Sequence, residues 1–525
     1  MTCALTAYRR SLRRCVLPAL LPWLASIASA VGGEAFGVRI VDSQTSRGVP
    51  LVTLRTTNEQ TFVTDSAGYA AIDAPDLLGR KVFLHIESHG YEFPKDGFGF
   101  RGRTFDLAPS GGETVELERL NVAERLYRVT GGGIYAESIR LGHAAPLSEA
   151  VLSGGVTGQD SVQSAVFRGQ IHWFWGDTNR LSYPLGQFRT SGATSQLPDN
   201  GGLAPEIGID LTYFVDEQGF SRPMFAKEGP GVVWLDGLCV VSDDDGQEHL
   251  VGHYSRREGL ARQLAHGIAE FDPDAGAFRT LVELPEASHT HPQGQAFHVT
   301  DERGEDFVYF ASPYPSRRVP ATLAAILDPA AYESYTPLPV ELGKANGEPN
   351  VERRLGERQP YSWSRHAPPV SAEEEYRLIE QGELATVNSH WQTQDATTGE
   401  RVILHGGSVR WNEYRQRWVM IAVQKHGNSS FLGEVWYAES DRPEGPWTRA
   451  MKIVTHDRYS FYNPTQHAFF DQDGGRLIYF EGTYTHTFSG NPNPTPRYDY
   501  NQIMYRLDLS DPQLDVVRTT DAAIR

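Results

Sequence analysis

Two aspartates, Asp160 and Asp177, sit at equal distances from the short Arg168-Gly169 turn that joins two apolar segments, Ser164 to Phe167 and Ile171 to Trp175. In an antiparallel hairpin, residues equidistant from the turn face each other. These two carboxylates are therefore expected at the same open end, with Cβ atoms about 5 Å apart. Carboxylates that close repel when both are ionised, so one of them should hold its proton to higher pH. One protonated carboxyl beside one carboxylate is what cleavage of a glycosidic bond requires: an acid for the leaving oxygen, and a base or nucleophile for the anomeric centre. An isolated strand-end Asp more often only caps a turn, so the pair gains meaning from its recurrence elsewhere in the chain.

The same hairpin pattern occurs five times. Asp236 precedes Leu238 to Val241, and His249 to Val251 leads to His253. His291 precedes Ala296 to Val299, and Phe307 to Ala311 follows. His405 precedes Ser408 to Trp411, and Trp418 to Val423 leads to Gln424. Asn463 precedes Gln466 to Phe470, and Leu477 to Phe480 leads to Glu481. Five such units over residues 151–518 predict a five-bladed β-propeller, with a large β-sandwich as the structural alternative. Long insertions are expected near 178–230 and 313–400.

In a propeller the equivalent strand ends gather at one mouth of the central channel. The expected site is then Asp160 and Asp177 as the catalytic pair, with Asp236 and Glu481 as further carboxylates for an acid or a pKa modulator. His253, His291, His405, Gln424 and Asn463 would bind substrate there, and Trp173, Trp175, Tyr314 and Tyr484 would stack on sugar faces.

Competing chemistries find less support. His289 and His291 share a strand face and could hold a cation, but no third ligand stands at motif spacing. No cofactor is expected, beyond the option of a structural cation in the channel. Asp243-Asp244-Asp245-Gly246 lacks the rest of an EF-hand and reads as a solvated turn. There is no Gly-x-Ser-x-Gly elbow, P-loop or dinucleotide fingerprint. Asn428-Ser429-Ser430 is a glycosylation sequon, of consequence only in a glycosylating host.

Residues 34–120 form a separate unit. Gly37 to Asp42, Val52 to Thr57, Thr61 to Ala70 and Lys81 to Ile86 are strand-like, separated by Gly, Asp and Ser, and predict a small transthyretin- or immunoglobulin-like β-sandwich. Residues 121–150 are expected as a bridge. The fold class is thus all-β, at 525 residues in at least two domains. Arg9, Arg10, Arg13 and Arg14, the apolar run Cys15 to Ile27, and Ala28-Ser29-Ala30 predict a signal peptide over residues 1–30 and a secreted or periplasmic protein. That run is too short to anchor comfortably in a bilayer, and no membrane insertion is expected after cleavage.

Loss of the signal would remove four Arg and no acid from a chain of net charge −18, leaving it more acidic still. Such a balance argues against nucleic acid as a partner, since phosphate recognition needs clustered Lys and Arg. It would also leave Cys239 as the sole cysteine, without an intramolecular disulfide or a Cys-based zinc site.

Residues 155–180, GVTGQDSVQSAVFRGQIHWFWGDTNR, resemble the opening blade of the domain-of-unknown-function family 4185, which includes endo-acting D-arabinanases. The matching positions are Gly158, Asp160, Ser164 and Trp173 to Thr178. The chain departs from that pattern at Trp175 and in its insertions. The resemblance implies that Asp160 and Asp177 are the catalytic carboxylates. The phrase from Trp436 to Ser440 and on to Pro446-Trp447 resembles blades of glycoside hydrolase family 43 propellers, with Trp447 packing between blades. GVPLVTLRTTN, TDSAGYAAI and VFLHIESHGYEF resemble carboxypeptidase-regulatory, transthyretin-like modules, which implies a spacer without chemistry. These resemblances imply a hydrolase of furanose-containing, arabinan-like polysaccharide. A non-catalytic carbohydrate-binding propeller and a cell-envelope scaffold are the rival readings.

Overall fold

The computed structural model describes residues 35–518, apart from 182, 188, 226–228, 261, 286–291, 339–342, 346–347, 351–359 and 496–498. The expected signal peptide, together with His289 and His291, lies outside the described residues.

The N-terminal unit is a β-sandwich. One sheet pairs Tyr69–Ile72, Phe36–Asp42, Gly112–Arg119 and Tyr91–Glu92; the other pairs Thr61–Val63, Thr53–Thr56, Lys81–Glu87 and Gly102–Asp106. Alternation decides which side chains enter the core. Val38 and Ile40 from one sheet meet Leu54, Leu84, Ile86 and Phe105 from the other.

The remaining chain is a five-bladed propeller. Its inner strands are Val162–Phe167, Val232–Ser242, Gln295–Thr300, Leu404–Asn412 and Ser460–Gln466, each paired antiparallel with the next strand of its own blade. The first hairpin has the expected register, with Val162 opposite Trp175 and Phe167 opposite Gln170. Its turn residues Arg168 and Gly169 both have positive φ, 49° and 79°, the geometry that two-residue hairpins favour because it matches strand twist.

Residues 121–150 prove to be more than a bridge. Glu124–Arg128 pairs with Asn501–Asp508 as the outermost strand of the fifth blade, so a strand that precedes the first blade closes the ring. The junction with the sandwich is built rather than loose. Arg125 donates to Ser88 Oγ (2.6 Å) and to the His89 carbonyl (3.1 Å), and the His89 ring lies 4.8 Å from that of His456.

Two strands run further than the sequence suggests. In the second blade, Asp236 and His253 face each other within long strands, beside a bulge, rather than at strand ends. In the fifth, the inner strand ends at Gln466, residues Ala468–Phe470 form a 3-10 turn, and the partner strand Leu477–Thr485 carries Glu481 opposite Thr465. Glu481 is therefore an interior residue and not a rim residue. Trp447 is fully buried, as expected of a packing residue. No helix among the described residues is long and apolar enough to cross a membrane.

Candidate functional site

The hairpin register brings Asp160 and Asp177 together. The Asp160 amide donates to the Asp177 carbonyl (3.0 Å) and the Gly176 amide to that of Ser161 (3.2 Å), so pairing continues past the strand ends. The two carboxylates flank one phenol: Tyr500 Oη donates to Asp160 Oδ2 (2.7 Å) and lies 3.5 Å from Asp177 Oδ2.

Their surroundings differ. Asp160 is half-buried, and its Oδ1 accepts from the Ser161 amide (2.5 Å) and hydroxyl (2.8 Å). With the Tyr500 bond, its carboxylate accepts three short hydrogen bonds. Asp177 is only 7 % exposed. Its Oδ1 accepts from Trp234 Nε1 (3.0 Å). Burial, then the Asp160 charge, push the Asp177 carboxyl up to about 6, against the hydrogen bonds from Trp234 and Tyr500. Burial and the Asp160 charge also hold the Tyr500 phenol well above its ordinary range, so it stays protonated and donates.

Asn463 joins this cluster. It adopts φ 51° at the bulge of the fifth inner strand, and its Nδ2 donates to Ser161 Oγ (2.7 Å). Gly406 makes room for it, since a Cβ there would lie 2.3 Å from Asn463 Oδ1. Gln502 Nε2 holds the Asp160 carbonyl (2.6 Å) and Thr483 Oγ1 (2.8 Å).

The other expected residues are placed differently. Asp236 accepts from the Gly294 amide (3.1 Å) at the junction with the third blade; burial pushes it up to about 6, opposed by that bond and by the Arg257 charge. Glu481 is fully buried and pairs with His467 Nε2 (2.9 Å). His253 is buried on Tyr332, Nε2 to Oη 2.8 Å. Trp173 and Trp175 stack in parallel in the core beside the fifth blade, with Trp173 Nε1 spent on Ser195 Oγ. Tyr314 stacks on Trp391 and donates to its carbonyl (3.0 Å). Tyr484 is buried against His89 of the sandwich. The four rings Trp173, Trp175, Tyr314 and Tyr484 are packing residues, because a rim aromatic must expose a face and theirs are covered. Gln424 is half-buried and accepts from Trp436 Nε1 (2.9 Å); His405 is exposed on the fourth inner strand.

Sequence reasoning missed Trp234, Ser161, Tyr462 and Tyr500. Trp234 was within reach, since it shares a strand face with Asp236 two residues on. Tyr462 is buried beside Asp160 and packs edge-on against the exposed ring of Phe488. The Phe488 loop is pinned at its base by Asp499, which accepts from the His486 amide and from Thr485 and Thr495 hydroxyls. Among the described residues, no group of three or more His, Cys, Asp or Glu side chains is arranged to hold a metal ion.

No protein-family model and no curated protein sequence matches the chain. Solved structures similar to it include exo-β-1,3-galactanase from Phanerochaete chrysosporium, at 10 % identity and TM-score 0.34, covering 74 % of this chain and 65 % of that one. An exo-1,5-α-L-arabinanase from a bovine ruminal metagenomic library matches at 10 % identity and TM-score 0.33, covering 67 % and 94 %. Cellvibrio cellulosa α-L-arabinanase matches at 9 % identity and TM-score 0.34, covering 66 % and 90 %. The propeller assignment above rests on the strand pairings of this chain.

Proposed function

We propose that the chain is a secreted or periplasmic glycoside hydrolase acting on a furanose-containing, arabinan-like polysaccharide. The observation that carries the reading is the pair of unlike carboxylates around the Tyr500 hydroxyl. Asp177, titrating near 6, is suited to protonate the departing glycosidic oxygen. Asp160, which accepts hydrogen bonds from Ser161 and Tyr500, is suited to attack the anomeric carbon or to deprotonate water. Tyr500 lies between the two groups and donates to Asp160. The resemblance of residues 155–180 to the endo-D-arabinanase family supports the choice of sugar class.

A carbohydrate-binding propeller without turnover is the second reading, favoured by the low exposure of Asp177 and the burial of the four expected sugar-stacking rings. One assay separates them. The mature chain is incubated with arabinans, galactans and other wall polysaccharides, beside Asp160→Asn and Asp177→Asn. Release of reducing sugar that both substitutions abolish, with folding retained, is the expected result. Binding to a glycan without release from any would overturn hydrolysis in favour of the second reading.

A further inference from the structure

The channel opens again at the hairpin-turn end, away from the aspartate pair. There the inner strands of all five blades surround a cavity of about 360 Å3, within the ~300–1,000 Å3 common for small-molecule sites. Phe297, Trp411, Trp418 and Phe469 supply aromatic surface, and Arg410 supplies the charge. Trp411 is 38 % exposed and packs edge-on against Trp418. In a chain of net charge −18, no Asp or Glu among the described residues lines this cavity.

Arg410 is the unusual member. Among the described residues its guanidinium makes one hydrogen bond, Nη1 to the neighbouring Val409 carbonyl (2.8 Å), and no ion pair. Asp471 is the acidic group that acts on it electrostatically, but from beyond ion-pair distance. Burial pushes Asp471 up to about 7, so at neutral pH it is only partly ionised. The surrounding protein lowers Arg410 itself to about 10, so it remains a cation. His298, the other titratable group lining the cavity beside Cys239, has its pKa lowered by burial, which disfavours its cationic form. A guanidinium crowded by protein without a carboxylate is costly to maintain, and its planar fork matches a carboxylate better than a point charge does.

We infer that this cavity binds a carboxylated sugar, a uronic acid residue, with the Arg410 guanidinium on its carboxylate and the aromatic walls on its apolar ring faces. The site is separate from the aspartate pair and does not depend on hydrolysis there. It would let the propeller hold an acidic glycan at one channel mouth while a neutral chain occupies the other.

The test is titration of the full chain with trigalacturonate and, in parallel, with neutral β-1,4-galactotriose, followed by tryptophan fluorescence and calorimetry. Trigalacturonate is expected to bind and to perturb the emission, equally in the wild type and in Asp160→Asn. Arg410→Met should weaken binding at least tenfold, and Trp411→Ala, on a partly exposed side chain, should weaken it as an independent variant should Arg410→Met not fold. No binding of trigalacturonate to the wild type, equal binding of the neutral trisaccharide, or unchanged binding in a folded Arg410→Met or Trp411→Ala would overturn the assignment.

Discussion

Asp177→Asn should make the protein more stable, and increasingly so as the pH rises. The Asp177 carboxyl titrates at about 6 in the folded chain against an ordinary 3.8. At roughly 1.4 kcal/mol per tenfold change in proton affinity, ionising it in place costs about 3 kcal/mol more than ionising it in the unfolded chain. The folded state binds this proton more tightly, so the stability it contributes is complete below the unfolded pKa and is lost as pH rises through 6. Asn carries no charge and keeps an acceptor for Trp234 Nε1. Its advantage over Asp should therefore be roughly a third of the full value at pH 4.5 and approach about 3 kcal/mol at pH 8. Urea unfolding of both proteins at pH 4.5, 6 and 8, followed by tryptophan emission, measures the difference. An advantage that does not grow between pH 4.5 and 8, or a variant less stable than wild type at pH 8, would refute the account of why this carboxyl holds its proton. Activity loss with a stability gain is the signature of a group retained for chemistry.

Tyr500→Phe removes the 2.7 Å donor to Asp160. Turnover is expected to fall by about 10- to 100-fold, the loss of a charge-assisted hydrogen bond, with glycan binding retained; steady-state kinetics on the released sugar would read it. His467→Leu strips the fully buried Glu481 of its partner, and Glu481 Oε2 already has none among the described residues. A loss of about 3–5 kcal/mol at neutral pH is expected, and a thermal midpoint within a degree of wild type would contradict it.

Local chemistry made part of this molecule readable. A two-residue turn fixes hairpin register, so the meeting of Asp160 with Asp177 followed from counting outward from Arg168 and Gly169. The sandwich strands were equally visible in their alternation. Counting failed where a bulge intervened. The irregularity at Tyr462–Thr465 and the extended partner strand moved Glu481 inward, and bulges leave only a faint mark in sequence. Trp173 and Trp175, two residues apart, share a strand face, but alternation does not say whether that face meets a substrate or the neighbouring blade. Tyr500 reaches Asp160 across 340 residues of sequence, and no local pattern announces such a contact.

The closing strand Glu124–Arg128 has a consequence for how the ring comes into being. Its partner residues lie more than 370 positions downstream, as in the Arg128–Asn501 contact. The fifth blade stays incomplete until residues 501–508 have been made, and its early strand waits with an open hydrogen-bonding edge. Contacts so distant in sequence slow folding, and an unpaired edge recruits other chains. Assembly of this propeller is thus gated by the strand Asn501–Asp508, and removing that strand should yield aggregation rather than a four-bladed remnant.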